Sequence, residues 1–197
     1  MNAETLPVIV VCGFGRCGSS LMMQMLNAGG IATTGIYPAF EVECANLGAF
    51  DLEQLAEMRG RAVKVLDPHK APSMDHIPRL AIWIDRHPKQ QAKSFAKFAG
   101  EVLGFNVDRG MRLACENSYR RERPDALRAA SADPARLFRT TFEILVQSPG
   151  AAMTVLAEWL QPFGFHLNAD LAATAALRRG TACLPYMLEF EQMRAAK

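Results

Sequence analysis

Residues 13–20, which read GFGRCGSS, combine three glycines, one arginine and two hydroxyls. The backbone N–H groups of such a turn can surround an anion, and a helix N-terminus behind it favours negative charge. Gly13 and Gly18 have the spacing of the G-x-x-x-x-G-K-[ST] phosphate loop, but Ser19 stands where that motif has its lysine. Because that lysine contacts the β- and γ-phosphates, the loop predicts a phosphate-type ligand other than a magnesium triphosphate.

The residues on either side of this loop indicate the elements that position it. Residues 8–12 form an apolar, β-branched run, and residues 19–28 carry apolar side chains on a helical period before Gly29 and Gly30. This pattern predicts a buried parallel strand, then the loop, then a helix that ends at the glycine pair.

The rest of the chain alternates between strand and helix patterns. We predict further strands over residues 31–34, 62–66, 80–84 and 137–143, and helices over 51–58, 88–102, 149–160 and 168–177. This order predicts an α/β protein with a P-loop NTPase-like three-layer fold, in which helices flank a parallel sheet. We expect one domain over residues 1–197, in which the charged segment 104–135 is irregular, helical in parts, and serves as a lid or acceptor-side insertion.

Composition excludes several classes of function. The net charge of +2 is too small to indicate nucleic acid as the main partner. No apolar run reaches the roughly 18 residues of a membrane span, and the N-terminus lacks the basic region of a secretory signal. The five cysteines show no metal-type pairing. We therefore expect a cytoplasmic protein with reduced thiols, no bound metal and no membrane partner.

Three polar segments follow predicted strands and should meet at one edge of the sheet. They are the loop at 13–20, the segment after Leu66, and the Asp85-Arg86 corner. Ligands of open parallel sheets bind at the carboxyl ends of the strands. The sequence therefore predicts a single crevice that contains all three segments.

Several motifs, in order, resemble those of sulfotransferases that use 3′-phosphoadenosine 5′-phosphosulfate (PAPS). Residues 15–21 resemble the family's G-R-S-G-T-T-L loop, and residues 84–88 with Ser94 resemble its strand–R-x-P–helix segment. Residues 141–149 are similar to its Y-E-D-L…P segment, and residues 178–180 to its R-K-G element. The chain departs from the family at three positions, with Cys17 for serine, Phe142 for tyrosine and Ile144 for aspartate.

The resemblance implies a set of residues that bind the donor. The loop would hold the 5′-phosphosulfate, whereas the arginines and the serine of the later motifs would hold the 3′-phosphate, since guanidinium groups pair with phosphate oxygens two at a time. The implied donor-binding residues are Gly15, Arg16, Cys17, Gly18, Ser19, Ser20, Arg86, Ser94, Arg178, Arg179 and Gly180.

The resemblance also implies sulfuryl transfer to a hydroxyl or amine of a small-molecule or carbohydrate acceptor, without a metal. Such a reaction depends on positioning and charge stabilisation, and Arg16 would neutralise charge on the transferring group. Lys64 resembles the lysine of the family's K-T-H segment. As the base that deprotonates the acceptor, Glu41 and Glu43 rank slightly ahead of His69, and Asp67 is a further candidate.

Two other functions stay open at the level of sequence. A P-loop nucleotide or small-molecule kinase would use the same cradle, although Ser19 in place of the lysine argues against it. A catalytically inactive nucleotide-binding module would keep the cradle without a working base. The identity of the acceptor and the oligomeric state, including a homodimer, cannot be predicted from these residues.

Overall fold

The computed structural model of the chain describes residues 6–46, 49–101, 103–131 and 133–176. The predicted donor-binding residues Arg178, Arg179 and Gly180 lie outside the described residues. The predicted end of the last helix at residue 177 lies outside them as well.

The centre of the fold is a four-stranded parallel sheet with the strand order β2-β1-β3-β4. The strands predicted at 8–12, 62–66 and 80–84 are confirmed. Residues 31–34 form only a single bridge, from Thr33 to Ala62, so the strand predicted there is wrong. The four strands are β1 (Val8–Gly13), β2 (Ala62–Leu66), β3 (Arg79–Asp85) and β4 (Leu137–Thr141).

Strand β4 is shorter than the pattern indicated because a helix begins at Phe142. The Thr141 hydroxyl accepts a hydrogen bond from the backbone N–H of Ile144 at 3.1 Å. A threonine in this position caps a helix N-terminus. The run that resembled one long strand is therefore a strand and a helix joined without a loop.

Seven α-helices accompany the sheet within the described residues. Asp51 and Asn168 cap the helices predicted after them, since each side chain accepts backbone N–H bonds from the first turn. The helices are α1 (Ser19–Ala28), α2 (Leu52–Glu57), α3 (Pro88–Glu101), α4 (Arg109–Ala130), α5 (Phe142–Gln147), α6 (Pro149–Leu160) and α7 (Ala169–Ala175).

Helices cover both faces of the sheet, as the alternation of strands and helices predicted. Ile9 and Val11 of β1 point into one core, which α1, α5, α6 and α7 complete. Val10 and Cys12 point into a second core with residues of α2 and α4. Both faces of the strands are buried, which explains why the strand sequences are continuously apolar rather than alternating.

The charged segment 104–135, predicted to be irregular and helical only in parts, contains one helix of 22 residues, α4. Asp108 caps its start by accepting the N–H of Met111 at 2.7 Å. Ala126 and Ala130 at its other end are fully buried against the sheet. The buried Arg79 side chain donates a hydrogen bond to the carbonyl of Ala130 at 2.9 Å and so satisfies an acceptor at the C-terminus of the helix.

An ion pair joins α4 to the carboxyl end of β3. Asp85 accepts a hydrogen bond from Arg123 Nε at 2.7 Å and from Trp83 Nε1 at 2.8 Å. Burial opposes ionisation of this carboxyl group, but the hydrogen bonds from Arg123 and Trp83 outweigh it and hold the pKa of Asp85 below its usual value. The pair fixes α4 beside the Asp85-Arg86 corner.

We expect Asp85→Asn to lower the free energy of unfolding by about 2 kcal/mol at pH 7, because it removes a two-point hydrogen bond to a guanidinium. Because the pKa of Asp85 is lower in the folded state, its ionised carboxylate stabilises the fold at pH values above the unfolded-state pKa of about 4. That contribution disappears as the pH falls through the pKa of the folded state. Urea titrations should therefore show the difference between wild type and variant shrinking from pH 7 to pH 3.

Asp125→Asn is the matched control, because Asp125 forms an exposed pair with Arg128. It should change the stability by less than about 0.5 kcal/mol. A difference for Asp85→Asn that stays constant between pH 7 and pH 3 would contradict the assignment.

Two kinds of feature are absent from the described residues. None of the helices in the described ranges is both long enough and apolar enough to cross a lipid bilayer. The same ranges contain no group of three or more histidine, cysteine, aspartate or glutamate side chains arranged to hold a metal ion.

Candidate functional site

The loop between β1 and α1 presents an uncapped helix N-terminus. Gly18, the residue before α1, has a left-handed backbone with φ 107°, and no side chain caps the helix. The first turn of α1 also contains no acidic residue. Because the first N–H groups of a helix have no partner within it, this end of α1 can receive an anion.

Close packing explains two of the glycines in the loop. A Cβ atom on Gly18 would lie 2.6 Å from the Phe142 ring, and its positive φ is itself unfavourable for other residues. A Cβ atom on Gly13 would lie 2.7 Å from both Cys17 Sγ and the carbonyl oxygen of Ile84. Around Gly15, by contrast, a Cβ atom would meet nothing within 4 Å.

We expect Gly18→Ala to destabilise the protein by about 3 kcal/mol, the sum of backbone strain and overpacking against Phe142. For a chain of this size, the melting temperature should fall by about 10 °C. Gly15→Ala is the control, and calorimetry should show a change of less than about 2 °C. Equal melting temperatures for the two variants would mean that Phe142 does not pack against the loop as described.

Gln91 of α3 holds the loop in place with two hydrogen bonds. Its amide Nε2 donates to the carbonyl of Phe14 at 3.1 Å and to that of Gly15 at 2.8 Å. The side chain is 2% exposed, so these bonds satisfy a buried polar group. Sequence reasoning missed this residue, because a glutamine on a predicted helix carries no signal that its amide faces a loop about 76 residues earlier.

Two arginines predicted to bind the donor lie beside this loop. Arg86 Nη1 donates to the backbone carbonyl of Arg16 at 2.9 Å, and its guanidinium lies 4.2 Å from the centre of the Phe142 ring. The guanidinium of Arg16 lies 4.8 Å from the centre of the Phe98 ring. Stacking on an aromatic ring favours a cation, and it orients both guanidinium groups.

The loop and the two arginines border a cavity of about 300 Å³. The structure brings the loop and Arg86 together, with Leu66 at the end of β2. The segment after Leu66 and Asp85, which were predicted to share this crevice, do not line the cavity. Its polar lining includes Gln24, and its aromatic side is formed by Phe95 and Phe98 of α3 together with Phe142. The predicted site residues that line this cavity are Gly15, Arg16, Gly18, Ser19, Ser20, Glu41, Lys64 and Arg86.

Lys64 is the most buried charge of this cavity, with its side chain 2% exposed. Its ammonium group donates to the Ser20 hydroxyl at 3.1 Å, to the carbonyl of Ala39 at 2.5 Å, and to the carboxylate of Glu41. The expectation that a lysine inside an apolar strand needs a partner is thus met by three acceptors. Lys64 joins the phosphate loop to the segment that carries Glu41.

The other candidates for the base lie elsewhere. Glu43 is exposed in a short 3-10 helix and does not line the cavity. His69 Nε2 lies 3.0 Å from a carboxylate oxygen of Glu122 on α4. Asp67 has a left-handed backbone next to this pair, and burial raises the pKa of its carboxyl group. Of the four predicted base candidates, the structure places only Glu41 at the cavity.

Two predicted donor-binding residues do not line the cavity with their side chains. Cys17 is fully buried under the loop, and burial raises the pKa of its thiol to about 11, so it stays protonated. Ser94 is also buried, on α3, and is not part of the cavity lining. The backbone of Cys17 still shapes the loop, because its N–H donates to the carbonyl of Phe14 at 3.1 Å.

No protein-family model matches the chain, and no curated protein matches it in sequence. Solved structures do resemble it. A mouse sulfotransferase, SULT7A1, complexed with PAP has a TM-score of 0.61 and 14% identity, over 90% of this chain and 68% of that protein. A sulfotransferase domain from the curacin biosynthetic pathway has a TM-score of 0.56 and 12% identity, over 96% and 98% of the two chains.

A third structure, retinol dehydratase in complex with androsterone and inactive cofactor PAP, has a TM-score of 0.55 and 11% identity, over 90% of this chain and 64% of that one. The three neighbours agree with the α/β architecture of a parallel sheet flanked by helices. The chain has the α/β fold of the sulfotransferases, as the resemblance of its motifs predicted.

Proposed function

We propose that this protein is a PAPS-dependent sulfotransferase that modifies a hydroxyl or amine of a small-molecule or carbohydrate acceptor. One observation carries the proposal. A single cavity contains an uncapped helix N-terminus, two guanidinium groups and a lysine–glutamate pair. These are the groups that binding a doubly phosphorylated nucleotide and deprotonating an acceptor require.

The donor would bind along the loop. The N–H groups at the start of α1 and the hydroxyls of Ser19 and Ser20 are donors suited to a 5′-phosphosulfate. Arg86 would pair with the 3′-phosphate, and Arg16 would neutralise charge on the sulfonate. Ser94, Arg178, Arg179 and Gly180 keep the roles that the motifs imply, as expectations for a complex with the donor.

In the transfer step, the acceptor oxygen or nitrogen forms a bond to sulfur as the bond from sulfur to the 5′-phosphate oxygen breaks. The acceptor proton moves to the Glu41 carboxylate, and the 5′-phosphate leaves with the bonding pair of electrons. Lys64 contacts both Ser20 of the loop and Glu41. In this proposal its ammonium group would stabilise negative charge between the leaving phosphate and the base.

The structural neighbours support this proposal. Two of them were solved with PAP, the desulfated form of the donor, and one also with androsterone, an apolar alcohol. The aromatic side of the cavity here, with Phe95 and Phe98, is compatible with an apolar acceptor. We infer that PAPS is the co-substrate and that the acceptor is small.

Calorimetric titration tests the proposal against its two alternatives. We expect the affinity for PAP, measured with EDTA present, to exceed the affinity for Mg-ATP, measured without EDTA, by at least about 100-fold. This factor corresponds to a difference in binding free energy of about 2.7 kcal/mol. The reverse order would favour a kinase. Transfer of labelled sulfate from PAPS to a panel of phenols, sterols, amines and sugars then separates the enzyme from an inactive module, which would bind PAP without any transfer.

A further inference from the structure

A second cavity lies between α3 and α4, apart from the phosphate loop. It has a volume of about 520 Å³, and four basic side chains line it: Lys89 and Lys93 of α3, and Arg109 and Arg112 of α4. All four residues are exposed. We call this feature the basic groove.

Within the described residues, ion pairs do not balance the charges of the basic groove. None of its four cations has an ion-pair partner among the residues that the structure describes. Glu116 is the acidic residue of the lining, and its carboxylate accepts a hydrogen bond from Arg120 at 2.6 Å, so another cation already neutralises it. Such a concentration of one sign of charge raises the local concentration of anions.

The spacing of the cations limits what could occupy the groove. Lys89 and Lys93 are four residues apart on one helix, which separates them by about 6 Å along its axis, and Arg109 and Arg112 are separated by about 4.5 Å. Carboxylates at positions i and i+4 of a helix have the same spacing. A helix that carries two such pairs of carboxylates could contact the cations of both α3 and α4.

An exposed apolar side chain among the cations indicates an amphipathic occupant. Leu113 lines the groove although it is 56% exposed. Exposed apolar residues next to a polar rim are typical of protein-binding surfaces. A fully hydrophilic polyanion would leave Leu113 in water, and a flat bilayer would not fill a concave groove.

We propose that the basic groove binds an acidic, amphipathic helical segment of a protein partner. The cavity beside the phosphate loop is lined by Phe95 and Phe98, at other positions of α3. A helix in the basic groove would therefore leave the proposed transfer site accessible. The proposal does not depend on the sulfotransferase activity, and binding alone tests it.

The probe is a capped 18-residue peptide with glutamate pairs at i and i+4 and leucines on the adjoining face, labelled with fluorescein. Anisotropy titrations at low salt should show saturable binding that weakens as salt rises. The double variant Lys93→Gln/Arg112→Gln should lose at least about tenfold in affinity, equivalent to about 1.4 kcal/mol. The control Arg128→Gln/Arg136→Gln removes the same charge from exposed sites elsewhere and should lose less than about twofold.

The variant Leu113→Ser distinguishes binding of an amphipathic helix from binding of other anionic ligands. This substitution should lower the affinity for the peptide about fivefold. The same peptide with glutamine in place of glutamate should not bind to the wild-type protein. The proposal is overturned if the peptide fails to bind, if both double variants lose affinity equally, or if a heparin octasaccharide or phosphatidylserine vesicles bind more tightly than the peptide. Far-ultraviolet circular dichroism spectra and melting temperatures equal to those of the wild type show that the double variants are folded.

Discussion

Arg86→Ala should weaken the binding of PAP about 100-fold but that of adenosine 5′-phosphate less than about fivefold. A charge-assisted bond to phosphate contributes about 1.5–3 kcal/mol, and the upper part of that range corresponds to a factor of about 100. Only PAP carries the 3′-phosphate that Arg86 is proposed to hold. Calorimetric titration of both nucleotides into wild type and variant measures the two losses side by side.

The contacts of Arg86 make the comparison of two ligands necessary. Its guanidinium donates to the carbonyl of Arg16 inside the loop, so its removal could also disturb the site of the 5′-phosphate. In that case both nucleotides would lose affinity equally, and the role at the 3′-phosphate would be wrong. Arg86→Lys is the intermediate variant, because it keeps the charge but loses the planar fork that pairs with two phosphate oxygens.

The elements around the phosphate loop could be predicted because their signals are local. The apolar run of β1, the glycines at 13–18 and the helical period of α1 are neighbours in sequence, and so are Pro88 and the helix it begins. A strand pattern followed by a glycine turn and a helix is compatible with few arrangements. The structure confirms each of these elements.

Features that depend on distant contacts could not be predicted in the same way. Lys64 and Glu41 are 23 residues apart, and only the fold shows that Glu41, rather than Glu43, reaches the lysine. For residues 109–130 the sequence predicted an irregular segment that is helical only in parts, whereas the structure has one helix that contains Pro124. Its stability derives from the burial of Ala126 and Ala130 against the sheet.

Phe142, one of the departures from the family pattern, packs against two parts of the candidate site. In sequence it is only a phenylalanine where the family has a tyrosine. In the structure its ring lies against the backbone of Gly18 and under the guanidinium of Arg86. One side chain therefore positions both the loop and the arginine that are proposed to bind the two ends of the donor.

Glu41→Gln should reduce the rate of sulfuryl transfer about 1000-fold, within the range of about 10²–10⁴ that general bases contribute. The amide has nearly the same shape as the carboxylate, and its oxygen can still accept from Lys64, so the affinity for PAP should change less than about threefold. The measurement is kcat with the acceptor that gives turnover in the panel, together with the Kd of PAP.

Glu43→Gln is the matched control, since Glu43 is two residues away, exposed and outside the cavity lining. It should retain wild-type kcat, whereas Glu41→Gln should also lose the acidic limb of the pH–rate profile, which reports deprotonation of the base. If Glu41→Gln keeps full activity, the carboxylate serves only to hold Lys64, and the acceptor is deprotonated by another group. If both variants lose activity together, the segment acts through its conformation, and the assignment of Glu41 as the base is wrong.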